Sequence, residues 1–559
     1  MLRRCWPLAV LGILSIAVVP AFAQGGATYN RDTVKALSKR IDEHLARTWK
    51  KAGVTPAPKA EEHIFFRRLH LDLVGHIPDL LKIHDFVDPS NDSPYKRWDA
   101  VDSLLDGPEH ARHFGNVWRT IILANQTSQQ FQFLQPQFEA WLRERVDKNV
   151  GLDKMVNQLL TNQNGNPNMG FNPQGQASPQ LFFQANENKA ENLAGATSRV
   201  FLGVKIECAQ CHAHPFAKWS KDQFWEFAAF YSAQPQNRPG QPVVKGGYQA
   251  GREILIPGTD KVVKAKFLNG EEPKWDAVAN SRKTLADWVT SPENPYFARA
   301  MADHIWSYLM GVSLLEPIME PSDDSPVTHP DLLNDLAKAL IENSFDAKFL
   351  IRAIVHTDAY QRSSGGAKLA EKEDYHLFVR MPIRALSPEQ IFDSVWMVTH
   401  PRDKQPELNP QRFFNPGMAQ SPRDQFLLKF TNQDRRHEPQ TSILQALFLM
   451  NGKFLTDRTK AENNPDLRDL AAQDPVHKEM QGLGYVAAGG FAKAATKQGD
   501  HVRRIRSLYM IVLSRPPRPV EYDRLVPYLE RGGATGNLGD ALSDVYWALL
   551  NSSEFLLNH

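Results

Sequence analysis

Beyond residue 23 this chain has only two cysteines, Cys208 and Cys211, which stand three residues apart with His212 directly after the second. No disulfide framework can staple such a fold, so a chain of 559 residues must hold itself together by apolar packing. At roughly 150 residues per domain, its length corresponds to about two to four structural units. Hydrophobic residues at 42%, charged at 23% and aromatics at 10% exclude a mainly disordered, collagen-like or multi-span membrane chain.

Residues 1–23 read as a secretory signal, with Arg3 and Arg4, an apolar run over Leu8–Val19, and Ala21-Phe22-Ala23 ahead of Gln24. The run is too short to span a bilayer, and no later stretch reaches about 18 apolar residues. The expectation is an exported protein, periplasmic or cell-envelope associated, with no transmembrane segment after signal removal. Arg3 and Arg4 carry the whole formal net charge of +2, so the chain beyond the signal is neutral. A nucleic-acid partner is therefore not expected, because the basic footprint is missing.

The CxxCH motif has three physical readings. In the first, Cys208 and Cys211 attach one c-type haem as thioethers, and His212 is the proximal iron ligand. His214 is then a residue hydrogen-bonding around the site, and Met169 a conceivable opposite ligand. In the second, Cys208, Cys211 and His214 follow a C-x-x-C-x-x-H spacing suited to tetrahedral zinc, with a fourth ligand from elsewhere. In the third, the two cysteines form a redox dithiol or a simple disulfide, favoured by an oxidising compartment.

Apolar periodicity predicts a mainly α fold, a multi-helical architecture of two regions with a small β insertion. Helices are expected over Val34–Trp49, Glu61–Leu73, Tyr95–Leu105, His110–Ala124, Phe138–Val146 and Leu152–Leu160, and again from Ala190 to Tyr231 around the motif. Short alternating runs at Glu253–Ile256 and Lys261–Phe267, punctuated by glycine and proline, predict the β insertion. Further helices are expected over Ser281–Asn294, Phe297–Met310, His329–Ile341, Asp346–Thr357, Ser387–Val398, Thr441–Met450, His501–Leu513 and Gly539–Leu550. The division is a signal at 1–23, an N-terminal lead at 24–59, a motif-bearing region with the β insertion at 60–273, and a helical C-terminal region at 274–559.

Other constellations read as structural. Arg68 and Asp72, four apart on one helix, are expected to form a surface or interhelical ion pair. Asp323 and Asp324 with His329 fit a turn entering a helix N-terminus better than a metal or acid–base site. His110 and His113 share a helix face, as a metal pair would, but in a chain with 18 histidines chance accounts for such a pair. The P-loop, H-E-x-x-H, G-x-S-x-G and dinucleotide-binding signatures are absent from the sequence, so no reaction is implied.

The segment FLGVKIECAQCHAHPFAKW, preceded by RRLHLDLVGHIP and followed by NPYFARAMADHIW, LIRAIVHTDAYQRSS, LQALFLMNG, VLSRPP and WALLNSSEF, resembles the planctomycete cytochrome-like family. That resemblance runs from about residue 60 to the end and implies a cytochrome-like domain joined to a planctomycete-type C-terminal domain, both of unknown function. Where the family usually reads Asn-Arg, this chain has Asp303-His304. The expected function is an exported c-type haem protein in electron transfer, working with a redox partner protein. The alternative is an exported structural or interaction protein with a Cys/His zinc site or a disulfide.

Overall fold

The computed structural model describes residues 29–123, 134–162, 177–213, 219–232, 251–275, 280–315, 328–365, 375–400, 422–430, 458–472 and 497–559. The signal segment, Met169, His214, Asp323, Asp324 and the helix expected over Thr441–Met450 lie outside the described residues.

The fold is mainly α. The first half carries α1 (Arg31–Ala52), α2 (Glu62–Leu73), α3 (Leu80–Val87), α4 (Lys96–Asp106), α5 (Pro108–Ile122), α6 (Gln135–Asp147), α7 (Leu152–Thr161), α8 (Gln180–Ala185), α9 (Ala190–Leu202) and α10 (Lys221–Ala228). The second carries α11 (Ser281–Val289), α12 (Phe297–Met310), α13 (Pro330–Glu342), α14 (Ala347–Val355), α15 (Pro388–Thr399) and α16 (Pro422–Phe430). It closes with α17 (Pro465–Ala472), α18 (Lys497–Leu513), α19 (Pro519–Glu530) and α20 (Leu538–Leu550). Between α10 and α11, β1 (Glu253–Leu255) pairs antiparallel with β2 (Val262–Lys264), with Ile254 opposite Val263. A second short ribbon pairs β3 (Arg384–Ala385) with β4 (Leu557–Asn558).

Packing divides the helices between two apolar cores. One runs from Val34 on α1 to Met381, includes Phe138, Phe201, Phe227 and Trp306, and takes in Met510 from α18. The other is built by α15 to α20 around Phe392, Ile505 and Tyr546, and it takes in Leu71 and Ile77 from the first half. Helix α2 lies against both cores, so every residue from Phe65 to Leu73 is buried. A helix covered all round has no solvent face for its polar residues, and each of them must find an internal partner.

That geometry corrects the expectation for Arg68 and Asp72. Both are about 1% exposed, so neither is at the surface, and Asp72 pairs with Arg384 rather than with Arg68. Arg384 Nη2 lies 2.9 Å from both Asp72 oxygens, Tyr360 donates its hydroxyl to Asp72 at 2.8 Å, and Asn558 donates its amide at 2.8 Å. Arg68 donates to the carbonyl of Tyr360. Arg67 donates to the carbonyls of Val512 and Phe555, both at 3.1 Å. Helix α2 is thereby fastened to the far end of the chain.

Candidate functional site

Helix α9 ends at Gly203, which is left-handed at φ 65, where a glycine is unstrained. The chain then forms a single 3-10 turn over Glu207–Gln210 before α10 begins behind a capping box, in which Ser220 and Gln223 cap each other. With three residues per 3-10 turn, positions i and i+3 eclipse, so Cys208 and Cys211 share one edge of the turn. Both are exposed and carry free thiols.

The residues beside and between them hold the turn down. Ala209 is fully buried in the first core. Glu207 is paired with Arg199 on α9 and lies over Gly195, where a Cβ would come 2.7 Å from Glu207 Cγ. Trp225 on α10 donates its indole N–H to the carbonyl of Gln210 at 3.1 Å. Glu207, Ala209 and Gln210 thus hold the turn, and neither thiol is spent on the fold.

His212 is exposed, and its Nδ1 lies 2.6 Å from the carbonyl of Ala213. A carbonyl only accepts, so Nδ1 carries the proton and Nε2 is left as the acceptor nitrogen, the tautomer a metal-ligating imidazole needs. The donor set on this turn, two thiols and one imidazole Nε2, fits covalent haem attachment with a proximal histidine. Among the described residues, no three His, Cys, Asp or Glu side chains converge as a metal-binding group.

The remaining histidines singled out by the sequence serve the fold. His110 donates Nδ1–H to the carbonyl of Leu73 at 2.8 Å, and His113 bonds through Nε2 to the Tyr308 hydroxyl at 2.5 Å. Burial pushes their pKa values down to about 3 and about 4, so both are neutral. His329 is the N-cap residue of α13 and bonds to the carbonyl of His376 at 2.7 Å.

Asp303 and His304 have structural roles on α12. Buried Asp303 accepts from Ser313 Oγ and the Leu314 N–H, each at 2.7 Å, which fixes the turn after the helix. His304 donates Nε2–H to the carbonyl of Val200 at 2.8 Å, bracing α12 against the helix that leads into the motif. The turn's supports are nearly silent in the amino-acid sequence. Only Gly195 gave a local signal, because a glycine inside a helix marks a close approach.

This arrangement defines a mainly helical protein with an exposed CxxCH turn, and none of its described helices is long and apolar enough to cross a membrane. Residues 40–236 match PSCyt2, a protein family of unknown function (DUF1549), and residues 281–438 match PSD1, also of unknown function (DUF1553). The chain belongs to the planctomycete cytochrome-like family that joins these two domains in this order. No curated protein and no solved structure matches it.

Proposed function

We propose that this protein is an exported carrier of one covalently attached c-type haem that exchanges electrons with a redox partner protein in the periplasm or cell envelope. The observation that carries this reading is the turn itself: Cys208, Cys211 and His212 are all exposed on a support built from other residues. Haem supplies a one-electron couple whose potential follows axial ligation, burial and hydrogen bonding. In this reading the two cysteines hold the group, and His212 presents Nε2 to it while Ala213 fixes the ring's tautomer. The sequence from Met1 to Ala23 supports export, which c-type attachment requires.

Expression with and without the haem-attachment machinery, followed by an optical spectrum, tests the reading. A Soret band that depends on the machinery is the expected result. Colourless protein with stoichiometric zinc, or with a Cys208–Cys211 disulfide, would instead establish a structural or interaction role for the motif.

A further inference from the structure

We propose that Trp225 is the positioning residue of the CxxCH turn, setting the direction in which Cys211 and His212 leave it. This rests on the haem reading of that turn. The last carbonyls of a helical turn have no partner within it, and a buried support must supply one. Gln210 ends the 3-10 turn, and the N–H that reaches its carbonyl belongs to Trp225, at 3.1 Å. That carbonyl is part of the peptide joining Gln210 to Cys211, so its orientation fixes the start of the reactive segment.

Trp225 is well placed to hold that peptide still. It is 3% exposed and lies edge-on to Phe224, with ring centroids 5.3 Å apart. Its helix is pinned at the start by the Ser220–Gln223 box, whose two bonds are 2.9 and 3.2 Å. The indole is a donor only, so the contact has one possible direction. Phenylalanine at this position would keep most of the buried ring and remove only the N–H.

The test compares Trp225→Phe with Phe227→Leu, a core change on the same helix whose ring packs against Phe230 and Trp288 rather than the indole. In haem-free protein, the ratio of Cys211 to Cys208 alkylation by iodoacetamide is expected to rise roughly fivefold in Trp225→Phe, the factor one net hydrogen bond is worth, and to stay at the wild-type value in Phe227→Leu. In haem-loaded protein, Trp225→Phe is expected to shift the midpoint potential and the axial-ligand bands, and Phe227→Leu to leave both in place. An unchanged ratio in Trp225→Phe, or an equal change in both variants, would overturn the proposal. If wild-type protein takes up no haem, the haem reading fails while the alkylation ratio still decides the role of Trp225. Should Trp225→Phe not fold, indole N–H exchange in the wild type decides instead: slow exchange, with a resonance that moves when Cys211 is alkylated, is expected, and exchange as fast as an exposed indole would overturn the proposal.

Discussion

Arg384 grips Asp72 through a single nitrogen, with Nη2 at 2.9 Å from each carboxylate oxygen, and the contact joins the PSD1 region to the PSCyt2 region. Asp72 is buried, the Arg384 side chain is only 20% exposed, and Arg68 stands close enough to feel the same carboxylate. Removing the carboxylate strands two guanidinium groups in the interior. Asp72→Ala is therefore expected to lower stability by about 3–5 kcal/mol, the range for breaking a buried pair from one side. Urea denaturation measures it, and a loss below about 1 kcal/mol would contradict the hub role of Asp72.

Gly75 follows the buried helix with φ 82, and a Cβ there would lie 2.3 Å from His113 Nδ1. Gly75→Ala meets the left-handed backbone cost and also displaces His113 from Tyr308. The expected loss is about 2–3 kcal/mol, the sum of the two effects. A melting curve matching the wild type would show that the turn can relax without cost.

Acid should unfold the protein steeply. Burial pushes His70, His110 and His356 down to about 3 and His113 to about 4. The unfolded histidines take up protons below about pH 6.5, whereas the folded ones do not, so stability is lost as the pH falls from there towards 4. Asp42 and Asp303, each raised to about 6 chiefly by burial, run the other way, because the folded state holds their protons longer. For these six groups the net uptake on unfolding near pH 5 is roughly two protons, a slope of about 3 kcal/mol per pH unit. Stability measured from pH 4.5 to 6.5, roughly the window set by these values, should show that slope, and a flat profile would contradict it.

Asp303 allows a second pH test. Its carboxyl holds a proton up to about pH 6 when folded, so raising the pH from about 4 to 6 costs stability, and the full cost is present at neutral pH. Asparagine at this position keeps an acceptor for Leu314 N–H without the charge. Asp303→Asn is expected to be more stable than the wild type by on the order of 2–3 kcal/mol at pH 7, with the advantage shrinking towards pH 4. An advantage that does not change with pH would refute the charge explanation.

Much of this structure is legible in the apolar period of the sequence. The period over Phe297–Met310 is that of α12 to the residue, and the alternation at Glu253–Ile256 falls on β1. Helix α19 was not legible, because Pro527 lies inside it, where a proline removes a hydrogen bond and usually ends a helix. Periodicity also revealed α2 but not its burial, since the partners of Asp72 lie 288, 312 and 486 residues away. At the site, the spacing of Cys208, Cys211 and His212 is itself the signal. Trp225 carried none, because its role depends on how α10 docks against the turn.

Haem held by Cys208 and Cys211, as proposed, is joined through thioether links, which survive conditions that break axial bonds. The mass and peroxidase activity of the denatured chain, after expression with the attachment machinery, test this. Expected are the mass of one haem on the polypeptide, a stain that survives denaturing electrophoresis, and loss of both in the Cys208→Ala, Cys211→Ala double variant. His212→Ala should keep the added mass while its spectrum shifts. A wild-type chain at its unmodified mass, with no stain after denaturation, would rule out covalent attachment.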